Sequence, residues 1–211
     1  MDILGPSLEE MSMRVNGGIG FSRVTTARIA KRLFSALEAM HRGRVVHGDI
    51  KPDNLLTERR KPDGKMGSGI MLVDFGESIE VSEEYLAGTK DAVVSRDGWR
   101  GTMLFSSVNV DAGHKISMRD DLESAIYTLA YLRTGRLPWT HELDDFDGEI
   151  DIRSLADAKS AVADGASLLT PHGVSDVPSE YRADVPFFDA VLRHARHLAI
   201  DETPDYRFLA D

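Results

Sequence analysis

His47-Gly48-Asp49-Ile50-Lys51-Pro52-Asp53-Asn54, joined further on by Asp74-Phe75-Gly76, is the pair of strings from which the rest of the 211-residue chain is read. Each residue type answers a chemical need. A carboxylate at Asp49 can orient a hydroxyl and take its proton. Two residues on, Lys51 offers a fixed positive charge. Asn54 and Asp74 supply an amide oxygen and a carboxylate oxygen, the hard donors that Mg²⁺ accepts while it keeps waters and substrate phosphates in its shell. Positioning, charge cancellation and a proton acceptor are what transfer of a γ-phosphate to a hydroxyl requires. Asp-Phe-Gly alone is a common tripeptide; its weight comes from its place behind the apolar run Ile70-Met71-Leu72-Val73.

The two strings resemble the catalytic loop and the metal-binding loop of the eukaryotic protein kinases. Further motifs follow in matching order: Met1-Asp2-Ile3-Leu4-Gly5-Pro6-Ser7-Leu8-Glu9, Gly101-Thr102, Ser107-Val108-Asn109, Arg119-Asp120-Asp121-Leu122-Glu123-Ser124, Leu137-Pro138-Trp139 and Pro204-Asp205-Tyr206. In that order they are similar to casein kinase 1 and its tau-tubulin kinase and vaccinia-related relatives, over essentially the whole chain. The resemblance implies an α+β, mostly α fold, the large C-terminal lobe of a protein kinase with short strands around the catalytic loop and no N-terminal lobe. Residues 1–211 then form one partial kinase domain with an activation segment over 74–109.

The resemblance also assigns roles. Asp49 is the implied base, Lys51 the cation at the transferred phosphate, and Thr102 a contact to both that favours serine and threonine acceptors. Asn54 and Asp74 are the implied Mg²⁺ ligands. Leu4 and Leu56 would border the adenine of ATP, with backbone groups of Ile3 and Leu4 hydrogen-bonding it. His47 is expected to support Phe75, and Asp121 to tie down the loop backbone from a buried helix. ATP, Mg²⁺ and protein substrates are the implied ligands and partners.

Three departures qualify the resemblance. Gly48 stands where many kinases have an arginine that pairs with a phosphorylated activation loop, so activity is expected not to depend on such a phosphate. Leu104 replaces an arginine that casein kinase 1 uses toward pre-phosphorylated substrates, although Arg96 and Arg100 lie nearby in sequence. The chain also begins at the hinge, with no glycine-rich loop, strand lysine or helix glutamate ahead of Met1. The lobe by itself is therefore expected to bind Mg-ATP weakly and to be inactive or nearly so. Two alternatives to an enzyme follow: a catalytically inactive lobe serving as a protein-binding module, and an incomplete gene product that starts at an internal methionine.

Composition bounds the class. The chain suits one domain or one large lobe, is short for a whole kinase domain, and has an ordinary 42% hydrophobic and 28% charged content. No apolar run approaches the roughly 18 residues of a membrane span, and no signal core follows a basic leader. The expected compartment is cytoplasmic or nuclear, without a membrane partner. Zero cysteines exclude disulfides and thiolate metal sites, and a net charge of −10 argues against nucleic acid.

Local patterns place the motifs. Pro6-Ser7 reads as the first-turn and cap pair of a short helix, closed by the connector Gly17-Gly18-Ile19-Gly20. Ser22 to His41 reads as a long helix with Ala27, Ala30, Leu33, Phe34, Leu37 and Met40 on its core face. Leu55-Leu56 and Ile70 to Val73 read as strands beside the catalytic loop, with a basic turn at 59–65. Arg119 to Thr134 predicts a buried helix, Gly135 to Trp139 its exit turn, Glu142 to Asp151 a solvated acidic loop, and 152–163 and 187–198 further helices.

Overall fold

The computed structural model describes residues 4–18, 20–59, 69–87, 102–140 and 152–210. Ile3, the basic turn, the acidic run and the middle of the 74–109 segment lie outside the described residues. Helices dominate the rest, with two small two-stranded sheets beside the catalytic loop.

The first helix, α1 (Leu8–Asn16), starts on a reciprocal cap. The Ser7 hydroxyl accepts the Glu10 N–H at 3.1 Å, and the Glu10 carboxylate accepts the Ser7 N–H at 3.2 Å. Gly17, left-handed at φ 59°, ends it. Pro6 lies ahead of the cap rather than in the first turn. Its carbonyl is taken by the Thr57 N–H and hydroxyl, each at 3.0 Å, which holds it extended.

Ser22 caps α2 (Arg23–Arg42). Ile29, Ala30, Leu33, Phe34 and Leu37 recur at helical spacing and are buried. Ala27 and Met40 depart from the expected core face: Ala27 is exposed and Met40 half-buried. Ala27 sits at the lip of a groove that neighbouring elements leave open.

After α2 the chain forms β1 (Val45–Val46), the catalytic loop with a 3₁₀ turn at Pro52–Asn54, β2 (Leu55–Thr57), β3 (Ile70–Leu72) and β4 (Ile79–Glu80). β1 pairs antiparallel with β4 through Val45↔Glu80 and Val46↔Ile79, and β2 pairs with β3 through Leu55↔Leu72 and Leu56↔Met71. The loop thus leaves one strand pair and enters the other, so both motif strings are clamped side by side.

Beyond these lie α3 (Glu83–Ala87), α4 (Val108–Asp111), α5 (Met118–Thr134), α6 (Ile152–Ala161), α7 (Gly165–Leu168), α8 (Val185–His197) and α9 (Tyr206–Ala210). α5 is the axis of the core. Leu122, Ala125, Ile126, Tyr127, Leu129, Ala130 and Leu132 are fully buried around its circumference, as in a helix packed on every side. It packs on α2 and α8, and Tyr127 meets Trp139 edge-on at 4.8 Å. Each buried leucine contributes on the order of 2 kcal/mol. Asp120, Asp121, Glu123 and Thr128 on the same helix are buried too. Arg196 donates to Glu123 at 3.0 Å and to the Tyr127 hydroxyl at 2.8 Å, which matches each desolvated charge with a partner.

Candidate active site

The catalytic loop is held from below by one carboxylate. Asp121, on the first turn of α5, accepts the His47 N–H at 2.7 Å and the Gly48 N–H at 2.9 Å. Its Oδ2 also meets the His41 Nε2 at 3.0 Å, and the Tyr206 hydroxyl bonds His41 Nδ1 at 2.7 Å. With Nε2–H directed at the carboxylate, Nδ1 accepts the phenolic proton. Burial pushes the Tyr206 phenol above its usual range, which keeps it a donor. A continuous buried chain of hydrogen bonds therefore runs from α9 through α2 and α5 to the loop backbone. Thr128 adds a second anchor, donating to the Ile50 carbonyl at 3.2 Å.

Above this base, four side chains meet. Lys51 Nζ lies 2.7 Å from Asp49 Oδ2 and donates to the Thr102 hydroxyl at 2.7 Å. Thr102 donates to Asp49 Oδ1 at 2.9 Å. Asn54 Nδ2 donates to the Asp49 carbonyl at 2.9 Å and to its Oδ2 at 3.1 Å. Thr102 is separated from Asp49 by 53 residues in sequence, so the contact is a product of the fold. Asp49 and Asn54 are buried, while Lys51 is half-buried at the edge.

The second string is supported differently. The Val73 N–H donates to the Asn54 carbonyl at 3.0 Å, which brings Asp74 next to the loop. His47 Nε2 lies 3.0 Å from the Val73 carbonyl, and its Nδ1 accepts the Asp49 N–H at 3.3 Å. The His47 ring also contacts Phe75, with centroids 5.1 Å apart, as expected. Asp74 is exposed and left-handed at φ 65°, with Oδ1 accepting the Gly76 N–H at 3.3 Å. Phe75 is 52% exposed.

The donor set suits Mg²⁺. Asn54 spends its amide nitrogen on Asp49, so its amide oxygen and the Asp74 carboxylate would be the hard oxygen donors for such an ion. No cluster of three or more His, Cys, Asp or Glu that could cage a metal occurs among the described residues. On the opposite side, Gly5 N–H donates to the Thr57 carbonyl at 2.8 Å and Ser7 bridges to Leu56. Leu4 and Leu56, the expected adenine neighbours, are both half-buried along this edge.

Both described substitutions have structural counterparts. Gly48 is left-handed at φ 83°, and a Cβ there would lie 2.9 Å from the Glu77 carbonyl oxygen, so the site is shaped for glycine. Leu104 is half-buried against the core, and its carbonyl accepts the Trp139 indole N–H at 3.0 Å.

Lys159 escaped the sequence reading. Fully buried, its ammonium donates to the carbonyls of Met103 at 2.5 Å and Ser106 at 2.9 Å, and to Asp111 at 2.8 Å. It clamps the segment that follows Thr102. Burial pulls the Lys159 ammonium below its usual range and pushes the Asp111 carboxyl above, while their mutual attraction opposes both. A lysine between Ala158 and Ser160 carries no local sign of this. Asp120 plays a similar part, accepting the Ser107 hydroxyl at 2.6 Å and the Ser117 N–H at 2.7 Å, with burial pushing its carboxyl up to about 6.

A loop carrying a carboxylate, a lysine and an asparagine between two strand pairs, met by a threonine from a distant segment, matches the large lobe of a protein kinase. The protein kinase domain family matches residues 6–180, and the chain belongs to that family. Within it, the likeness is to casein kinase I. The chain is 30% identical over its full length to casein kinase I homolog 2 of Schizosaccharomyces pombe, covering 44% of that protein. It is also 30% identical to casein kinase I homolog 3 of Saccharomyces cerevisiae, across 99% of this chain and 40% of that one. Over 66% of the chain it is 39% identical to casein kinase 1-like protein HD16 of Oryza sativa. The chain thus spans less than half the length of these curated relatives. Among the described residues no helix is long and apolar enough to cross a membrane.

Proposed function

We propose that these residues are the catalytic lobe of a serine/threonine protein kinase of the casein kinase 1 group, acting on protein hydroxyls with Mg-ATP as the phosphate donor. The observation that carries this reading is the closed ring of contacts among Asp49, Lys51, Thr102 and Asn54.

In this reading Asp49 receives the substrate hydroxyl. Its carboxylate orients the attacking oxygen and takes its proton, a contribution typically worth about 10² to 10⁴ in rate. Lys51 has its charge beside the same oxygen and compensates negative charge that develops there. Thr102 fixes the carboxylate rotamer and borders the acceptor. Asn54 and Asp74 would hold the metal, which when bound neutralises the phosphates. Leu4 and Leu56 line the base-binding edge. Thr102, in contact with both Asp49 and Lys51 as in the serine/threonine kinases this loop resembles, supports a serine or threonine acceptor.

The test uses the polypeptide at its full encoded length. Phosphate transfer to a serine-containing peptide is expected to exceed transfer to its tyrosine counterpart at least tenfold. Since Gly48 offers no guanidinium to an activation-segment phosphate, prior phosphatase treatment leaves the rate unchanged. Preferential tyrosine transfer, or loss of activity after phosphatase, overturns the assignment.

A further inference from the structure

Three exposed helical arginines of this protein share one local pattern. Arg14 pairs with Glu10 at 3.1 Å, Arg42 with Glu38 at 2.6 Å and Arg193 with Asp189 at 2.9 Å, each with the carboxylate one helical turn earlier. The middle of α2 breaks it. Arg28, Lys31 and Arg32 are exposed on one helix face at spacings of three and four, and among the described residues no carboxylate pairs with them. The positions one turn before Arg28 and Lys31 hold Val24 and Ala27 instead of acids. Unneutralised like charges at this spacing cost a few tenths of a kcal/mol per pair, in a chain whose net charge is −10.

Beside this stripe lies an apolar groove of about 330 Å³ between α2 and α8. Its walls are Ala27 and Ala30 on α2, and Phe187 and Val191 on α8, with Leu209 of α9 at one end. Val24 is 60% exposed and Phe187 37%, so apolar surface continues out of the groove toward the cations. Two small alanines on α2 face the rings of Phe187 and Phe188 on α8, which leaves the groove lined by apolar surface. At the other end Asp184 is already satisfied by Arg23 and Arg133, at 3.0 and 2.9 Å.

We propose that this face docks an acidic segment of another protein, with an aliphatic or aromatic side chain in the groove and flanking carboxylates over Arg28, Lys31 and Arg32. Charge complementarity selects the occupant. A polar anion alone would leave the apolar groove unfilled, and an apolar segment alone would leave three cations without partners. A nucleic acid is disfavoured because, among the described residues, the patch offers three cations without a carboxylate partner on a strongly acidic chain. The face is separate from the loop that carries Asp49, so the inference stands whether or not the lobe transfers phosphate.

The test installs the i,i+4 pairing that α2 lacks here. Val24→Glu with Ala27→Glu installs the missing partners of Arg28 and Lys31 at exposed positions and removes apolar surface beside the groove. Binding is read by fluorescence anisotropy with a labelled dodecapeptide of aspartate and glutamate that carries leucine and phenylalanine three residues apart. The wild-type chain is expected to bind it saturably below ~1 mM. The double variant should keep or raise the thermal midpoint and bind at least tenfold more weakly. A control peptide with both apolar residues changed to serine should also lose at least tenfold. Equal binding by the double variant or by the serine peptide overturns the proposal. So does absence of saturation, displacement by an RNA dodecamer at equal concentration, or a concentration-dependent dimer that excludes the peptide.

Discussion

The catalytic loop and the Asp-Phe-Gly segment are equally complete as sequence, yet the structure supports them unequally. Around Asp49 the polar groups are buried or half-buried and partnered, and the loop backbone is pinned by Asp121 from the central helix. Asp74 and Phe75 are exposed, and the carboxylate reaches only a nearby backbone N–H among the described residues. One half of the site is preorganised by the core. The other is held by fewer contacts among the described residues. Intact motifs therefore do not carry equal structural weight, and mutation should separate them.

The largest effect belongs to Asp121→Ala. It strips acceptors from the buried His47 N–H and His41 ring and from the half-buried Gly48 N–H, and is expected to cost about 3 to 5 kcal/mol in urea unfolding. A loss under about 1 kcal/mol would erase the contrast between the two halves.

Next comes Lys159→Met, at about 3 kcal/mol near neutral pH, because it leaves the Asp111 carboxylate buried without its cation. This loss has a pH signature. Burial already raises the folded-state pKa of Asp111, and removing the lysine raises it further. A raised folded pKa gives stability that is fully present below the unfolded value, 3.8, and is lost as pH rises through the folded one. The deficit should therefore shrink on acidification from pH 7. A deficit that is constant between pH 7 and 4 would mean that Asp111 is not the orphaned partner.

Asp74→Asn sits at the small end. The site is exposed, and asparagine tolerates the left-handed backbone, so unfolding should change by no more than about 0.5 kcal/mol. A larger loss would show that the segment is as firmly built into the core as the catalytic loop.

The legible parts of the fold are those written in neighbouring residues. Ser7 with Glu10, Ser22 ahead of an apolar-periodic helix, and the strand runs at Leu55 and Ile70 announce their elements through caps and periodicity. The candidate site residues could be named because loop order carries them, and the contact of Thr102 with Asp49 and Lys51 follows the expected pattern. What stayed hidden depends on distant partners. The β1–β4 pair is two residues long on each side, too short for an alternation signal. Lys159 looks like any solvated helix lysine until the carbonyls of Met103 and Ser106 close around it. Tyr206 and His41 are 165 residues apart, so no local pattern links them. Ala27 was misplaced because period 3.6 marks a helix face but not how far neighbours extend over it.

Phosphate transfer from Mg-ATP to a serine peptide by Asp49→Asn, in the polypeptide at its full encoded length, tests the central claim most directly. The exchange keeps the side chain's shape, so the thermal midpoint should stay within a few degrees while turnover falls at least ~100-fold. Wild-type turnover from a correctly folded Asp49→Asn protein would contradict the assignment of Asp49 as the base and, with it, the reading of this loop as a catalytic centre.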